Sequence, residues 1–189
     1  MSLLIAGLII FLGIHSIAII APGLRERARS RLGDGPWKGI YSLVSLLGFV
    51  LIIYGFGLAR HSPLLLYSPP PWMRHLTALF MLPVFPLLIA AYMPGRIKTA
   101  AKHPMLAAVK FWAFAHLLAN GMLADVLLFG GFLAWAVMDR ISLKSRTQNL
   151  RTAPPGRFND AIAVIAGLVL YVIFIGWAHV RLFGVSPLG

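Results

Sequence analysis

The 189-residue chain contains no cysteine and only five acidic residues. Without cysteine it cannot form disulfides, thiolate-bound zinc, iron–sulfur centres, cysteine-ligated haem or a cysteine nucleophile. Five carboxylates in the whole chain argue against catalysis by a pair of carboxylates inside the membrane. Charged residues make up 12% of the chain, against about 25% in an average soluble domain. The chain therefore has too few charged residues to form an ordinary water-soluble surface.

Apolar residues take the place of the missing charges. They make up 59% of the chain, and the mean hydropathy is +0.84. A soluble fold of this composition would have too few polar side chains to cover it, whereas a lipid bilayer provides an apolar surrounding. We therefore predict an all-α, polytopic membrane protein in which residues 1–189 form a single domain.

Six apolar runs are candidates for membrane-spanning helices, each of which needs about 20 apolar residues. The fifth run follows the fourth almost at once, which predicts an antiparallel helical hairpin. Four prolines between residues 63 and 72 predict an irregular segment there. We expect the six helices to form a single bundle. The runs are residues 3–21, 38–59, 74–92, 104–119, 122–138 and 160–183.

The basic residues are distributed unevenly between the two sides of these predicted spans. Arg60, Arg74 and Arg181 lie on one side, and thirteen Lys and Arg residues lie on the other. The positive-inside rule places the thirteen in the cytoplasm and both termini in the periplasm of a bacterial inner membrane. This distribution accounts for the net charge of +12 without a nucleic-acid partner. The thirteen are Arg25, Arg27, Arg29, Arg31, Lys38, Arg96, Lys98, Lys102, Arg140, Lys144, Arg146, Arg151 and Arg157.

Two histidines lie within predicted spans, His15 in the first and His116 in the fourth. The helical rise puts their depths about 10 Å apart. Isolated histidines in a membrane can be polar contacts between helices, but imidazole is also a common axial ligand of haem iron. Trp112 and Asn120 lie one turn either side of His116 and share its face, so we predict that they line the cofactor site with the two histidines. His103, thirteen residues before His116, faces nearly the opposite side of the helix.

Other polar or small residues have plainer interpretations. Ser45, Gly48 and Gly55 recur at roughly helical spacing on the second span, which suits close packing against a flat ligand or another helix. Lys110 is expected to extend towards the cytoplasmic interface, and Asp125 to interact with the first turn of its helix. The histidines expected at span ends as interfacial residues are His61, His75 and His179.

Five segments resemble the NnrU family: FLGIHS (11–16), RLG (31–33), YSLVSLLGFVLIIYG (41–55), KHPMLAAVKFWAFAHLLANG (102–121) and LLFGGFLAWAV (127–137). That family is related to the plant and cyanobacterial 15-cis-ζ-carotene isomerase, a membrane protein with haem b. The resemblance implies a six-helix bundle that binds haem b (iron protoporphyrin IX) with His15 and His116 as the axial ligands. His103 is the alternative second ligand.

Three functions are open at this point. A haem protein of the NnrU family would have a supporting, sensing or electron-transfer role in nitrite and nitric oxide metabolism, with a redox partner. A haem-dependent isomerase would act on a polyene lying in the bilayer. A cofactor-free small transporter or structural membrane protein is the third, although no pair of Pro- or Gly-broken helices favours a transporter. Whether the protein is an enzyme stays open.

Overall fold

The computed structural model describes residues 1–145 and 156–189, and these residues form ten α-helices and one π-helical turn. Arg146 and Arg151, two of the thirteen basic residues, lie outside the described residues. The helices are α1 (Ser2–Ile20), α2 (Pro22–Leu32), α3 (Asp34–Ala59), α4 (Met73–Met81), α5 (Val84–Tyr92), α6 (Arg96–Ala101), α7 (Pro104–Ala119), α8 (Leu123–Ser145), α9 (Asn159–Ile173) and α10 (His179–Phe183), with the π-helical turn at Phe174–Ala178.

Five helical stretches of the described chain are long and apolar enough to cross a membrane. They confirm that this is a polytopic α-helical membrane protein. The fourth predicted span forms α7, which is apolar but has 16 residues, short of the roughly 20 that a span needs. Six spans in a single bundle stay a prediction. The five stretches are Ser2–Ile20, Asp34–Ala59, Met73–Tyr92, Leu123–Ser145 and Asn159–Phe183.

Two basic segments predicted as loops are partly helical. Pro22 does end α1, but it also occupies the first turn of α2, where its missing N–H costs nothing. Helix α2 is polar, buries no residue and is held to the start of α3 by an ion pair between Arg29 and Asp34 at 2.8 Å. The second basic segment contains the short helix α6.

The third and sixth spans are not uniform helices. The third is interrupted at Leu82 and Pro83, between α4 and α5, because proline has no N–H to continue the ladder. The sixth passes through the π-helical turn Phe174–Ala178 before α10 begins. Periodicity and apolar composition predicted the existence of both spans, but not these interruptions.

Glycines allow α1 and α3 to pack closely. A Cβ placed on Gly48 would lie 2.7 Å from the backbone nitrogen of Phe11, and one on Gly7 would lie 2.6 Å from that of Ile52. Gly55 meets the backbone of Leu4 in the same way. Gly48 and Gly55 of α3 therefore serve contact with another helix, as small residues commonly do in membranes.

The other helices pack one after another, starting from the α1–α3 pair. Helix α1 also contacts α8, α8 packs on α7, α7 packs on α4 and α5, and α5 packs on α9. The hairpin predicted from the short connection between the fourth and fifth runs is confirmed as α7 and α8. A buried cluster joins α1, α3, α7 and α8 through Leu4, Leu8, Ile52, Ala59, Ala113, Ala124, Leu128 and Phe129.

Hydrogen bonds show which helix ends lie together. The predicted irregular segment between α3 and α4 is confirmed, and its Leu66 N–H donates to the carbonyl of Gly121, between α7 and α8, at 2.8 Å. Arg60, at the end of α3, donates to the carbonyl of Phe183 at the end of α10 at 2.9 Å. At the opposite end, the Asp160 carboxylate at the start of α9 accepts from the Arg96 N–H at the start of α6 at 2.9 Å.

Candidate functional site

His15 is held in one orientation by its own helix. Its Nδ1 lies 2.7 Å from the carbonyl oxygen of Phe11, one turn earlier. Since a carbonyl only accepts, Nδ1 is the donor, and in the neutral imidazole this leaves the lone pair on Nε2. The imidazole stacks on the Phe11 ring at 4.2 Å and meets Tyr41 and Trp135 edge-on at 5.3 and 6.0 Å.

His116 has the same local arrangement on α7. Its Nδ1 lies 2.8 Å from the carbonyl oxygen of Trp112, which again leaves Nε2 as the free nitrogen. The imidazole stacks on Phe129 at 4.5 Å and lies 5.6 Å from the Trp112 ring. Asn120 also lies beside His116, but its side-chain amide donates to the His116 backbone carbonyl at 2.9 Å. Asn120 therefore terminates α7, while Trp112 orients the imidazole.

Three aromatic rings separate the two histidines. The Phe11 ring beside His15 lies 5.6 Å from Phe132, and Phe132 lies 5.5 Å from the Trp112 ring beside His116. We call Phe11, Phe132 and Trp112 the aromatic row. The residues of α8 nearest the two histidines, Phe129 and Trp135, are six positions apart, or about 9 Å of helix. This separation agrees with the depth difference expected from the sequence.

The donor atoms at each histidine fit a haem iron, because both imidazoles are oriented through Nδ1 and packed against aromatic rings, which leaves Nε2 as the nitrogen for a metal. The spacing does not fit one iron shared by both in this conformation. Two imidazoles on one iron face each other across the metal, whereas His15 and His116 are linked here through successive ring contacts with Phe11, Phe132 and Trp112. Within residues 1–145 and 156–189, no cluster of three or more His, Asp or Glu could hold a metal ion.

A shallow groove of about 320 Å³ opens beside His15, between α1 and α3. Two buried polar atoms near it, the Ser45 hydroxyl and the Trp135 indole N–H, have no hydrogen-bond partner among the described residues. Residue spacing predicted only that Ser45 is a small packing residue of the second span, and it predicted no role for Tyr41 or Trp135. The spacing of Tyr41, Ser42 and Ser45 on α3 was the available signal. The lining residues are Phe11, His15, Tyr41, Ser42, Ser45, Leu46 and Phe49.

Tyr67, for which the sequence predicted no role, holds the C-terminal end of α7, the helix that carries His116. Its hydroxyl donates to the carbonyl oxygens of Leu117 and of Asn120, the latter at 2.8 Å. Burial, and then the nearby charge of Asp125, raise the pKa of the Tyr67 phenol, so it remains a donor at physiological pH. The last turn of α7 is thereby held by the segment between α3 and α4.

The other predicted polar residues lie near helix ends. His103 is the residue before α7, so it lies thirteen positions, or about 20 Å, from His116 along the helix. Asp125 lies in the first turn of α8, as expected, and accepts the N–H of Met122 at 3.3 Å. His179 starts α10, with its Nδ1 2.8 Å from the carbonyl of Val185.

Comparison with known proteins gives one family and no individual relative. The sequence model of a family described as NnrU protein matches residues 3–187. No curated protein and no solved structure matches the chain. The matched region begins in α1 and continues past α10, so it includes every described helix from the first to the last.

Proposed function

The chain belongs to the NnrU family, and from that premise we propose that it is an integral membrane b-type haem protein with a redox-linked role in nitrite and nitric oxide metabolism. The observation that carries the proposal is the pair of imidazoles on α1 and α7. Each is oriented by a backbone carbonyl one turn earlier, and each stacks on a phenylalanine ring. A backbone hydrogen bond at Nδ1 is the usual way in which proteins fix a metal-binding histidine.

His15 and His116 are the proposed axial ligands. When bound, haem supplies one-electron redox chemistry. The carbonyls of Phe11 and Trp112 set the tautomer and ring orientation of the two histidines. Since the aromatic row lies between them, ligation of one iron by both histidines requires its three rings to move apart.

Ligation by two histidines favours electron transfer or sensing. Both axial positions are then taken by protein, and no position on the iron is open to a substrate. Such a role also needs a redox partner, and the exposed ends of the helices are where a partner could dock.

An absorption spectrum tests this proposal directly. We expect the full-length protein, purified in detergent from haem-replete cells, to show a Soret band and sharp α and β bands after reduction with dithionite. Sharp bands in the reduced state are typical of a low-spin iron with two strong axial ligands. A colourless preparation, with no haem by extraction into pyridine, would overturn the proposal.

We further propose six membrane crossings, with the basic side in the cytoplasm and both termini in the periplasm of a bacterial inner membrane. The two ends of α7 support this. Its first residue follows α6, which contacts Asp160 on one side of the structure. Its last turn is held by Tyr67 on the other side, where α3 ends. Helix α7 thus extends between the two ends of the structure, like the longer helices.

Since the natural chain has no cysteine, single cysteines test this topology without background. In intact spheroplasts, a membrane-impermeant maleimide should label Ser2→Cys and Ser186→Cys. The same reagent should label Ser30→Cys only after the membrane is permeabilised. The reverse pattern would show the opposite orientation.

A further inference from the structure

Helix α2 lies across one end of the α1–α3 pair. Gly48 of α3 packs against Phe11 of α1, so Ala21, ten residues further along α1, is level with Lys38 of the antiparallel α3. Helix α2 begins directly after Ala21 and is about 16 Å long, yet Asp34, where α3 begins, is only about 6 Å beyond this level. Since a single glycine joins α2 to α3, α2 runs obliquely across the end of the pair and does not continue either span.

The aromatic residues at this level indicate where α2 lies relative to the bilayer. Trp37 and Tyr41 flank Lys38 in the first turns of α3, and their rings are 6.5 Å apart. Tryptophan and tyrosine are enriched at the headgroup level of a membrane, because one part of each ring system is apolar and the other is polar. Helix α2 therefore begins at the level of the lipid headgroups.

One face of α2 is apolar and largely exposed. Leu24, Ala28 and Leu32 follow one another at intervals of four residues and so share a face. The two leucines are 54% and 48% exposed. Glu26 and Ser30 lie on the opposite face of the helix. An apolar face on a polar helix at headgroup level is typical of an interfacial helix, whose apolar side enters the boundary with the acyl chains.

Four arginines border this apolar face. Arg25 and Arg29 lie along one side of it, and Arg27 and Arg31 lie along the other. An arginine in such a position keeps its aliphatic stem beside the apolar face while its guanidinium reaches the headgroup layer. A guanidinium also matches the geometry of a phosphate, with two parallel N–H donors for two oxygens. The positive charge of α2 is thus placed next to its apolar face.

Few carboxylates are present to balance these arginines. Arg29 pairs with Glu26 at 3.4 Å and with Asp34 at 2.8 Å. Within the described part of the chain, Arg27 and Arg31 form no ion pair. The whole chain has five acidic residues for seventeen basic ones, so much of the positive charge must be balanced by anions from outside the protein.

We propose that α2 binds the phosphates of anionic phospholipids, with Leu24 and Leu32 beside the acyl chains and Arg27 and Arg31 on the headgroups. The position of α2 favours a lipid as the occupant, because both its apolar face and its unpaired arginines lie at headgroup level, where lipid is always present. The inference is independent of the proposed haem function, since α2 carries neither of the proposed axial ligands.

Brominated lipids test the immersion of α2 and its preference for anionic headgroups together. Because the chain has no cysteine, Leu24→Cys or Ser30→Cys in the full-length protein can be labelled with bimane and placed in phosphatidylcholine nanodiscs. A minor fraction of the lipid then carries bromine on its acyl chains, as phosphatidylglycerol or as phosphatidylcholine. We expect bimane at Leu24→Cys to be quenched about fivefold more strongly by the brominated phosphatidylglycerol, since guanidinium groups at the surface attract anionic lipid. Bimane at Ser30→Cys should be quenched only weakly by either lipid.

Removal of two arginines tests whether α2 itself provides the preference. In Arg27→Gln/Arg31→Gln, the preference at Leu24→Cys should fall to about twofold or less. Quenching by brominated phosphatidylcholine should not change, which shows that α2 is still folded on the bilayer. The matched control is Arg96→Gln/Arg157→Gln, which removes the same charge from the basic side where α6 meets α9 and should keep the full preference.

Four results would overturn this assignment, and none of them bears on haem binding. Equal quenching at Leu24→Cys and Ser30→Cys would show that the apolar face does not enter the bilayer. Weak quenching at both would place α2 in water, where an acidic protein would be the better partner. Equal quenching by the two lipids would exclude a preference for anionic headgroups. An undiminished preference in Arg27→Gln/Arg31→Gln, or the same loss in both double variants, would assign the attraction to the basic side as a whole.

Discussion

His116→Ala and His15→Ala are each expected to remove most of the haem from the purified protein, whereas His61→Ala should retain it. Both imidazoles have Nδ1 committed to a backbone carbonyl and Nε2 available, and alanine supplies no replacement ligand. The haem content per protein, measured as the pyridine complex, should fall at least about fivefold in each variant, since an axial bond contributes much of the binding free energy.

Rescue by added imidazole distinguishes a lost ligand from lost structure. In His116→Gly and His15→Gly, external imidazole should restore the haem content and the low-spin spectrum, because the small molecule can enter the vacated space and supply the missing nitrogen. Loss of haem in His103→Ala together with full retention in His116→Ala would move the second ligand to His103. Retention in both His15→Ala and His116→Ala would refute the assignment altogether.

Gly48→Leu is expected to disrupt the packing of α1 on α3. A Cβ added at this position would lie 2.7 Å from the Phe11 backbone nitrogen, and a backbone atom cannot rotate away as a side chain can. The two helices must therefore separate, at a cost of about 3 kcal/mol or more. A lower midpoint for unfolding in SDS and a shift to aggregated species in size-exclusion chromatography would both report the loss.

The matched control for this substitution is Gly57→Leu, on the same helix. Within residues 1–145 and 156–189, no atom lies within 4 Å of a Cβ placed on Gly57, so the larger side chain is expected to face lipid without penalty. Separation of α1 from α3 also opens the groove between His15 and Ser45, so haem content should fall in Gly48→Leu and not in Gly57→Leu. Equal stability of the two variants would show that α1 and α3 are not packed as described.

The predictions that succeeded depended on properties local to each segment. The α7–α8 hairpin follows from two apolar runs with almost no connection, and the irregular segment before α4 follows from its prolines. The break at Pro83 was missed because hydropathy averages over a proline inside an apolar run. Hydropathy does not predict helix α2 either, because a polar segment between two spans is typical of a loop. Carotenoid isomerase activity, implied by the resemblance, stays a prediction.

The sequence by itself determined that this is a polytopic membrane protein, and its apolar runs predicted the five stretches that are long enough to cross the bilayer. The contacts of His15 with Phe11 and of His116 with Trp112 span four residues of one helix, so they are local contacts that helical geometry permits. Only the tertiary structure decided what lies between the histidines. The aromatic row draws its rings from α1, α7 and α8, and the unpaired Ser45 hydroxyl depends on how α1 covers α3. Such contacts depend on the rotation and register of helices far apart in the chain, which residue spacing within one helix does not specify.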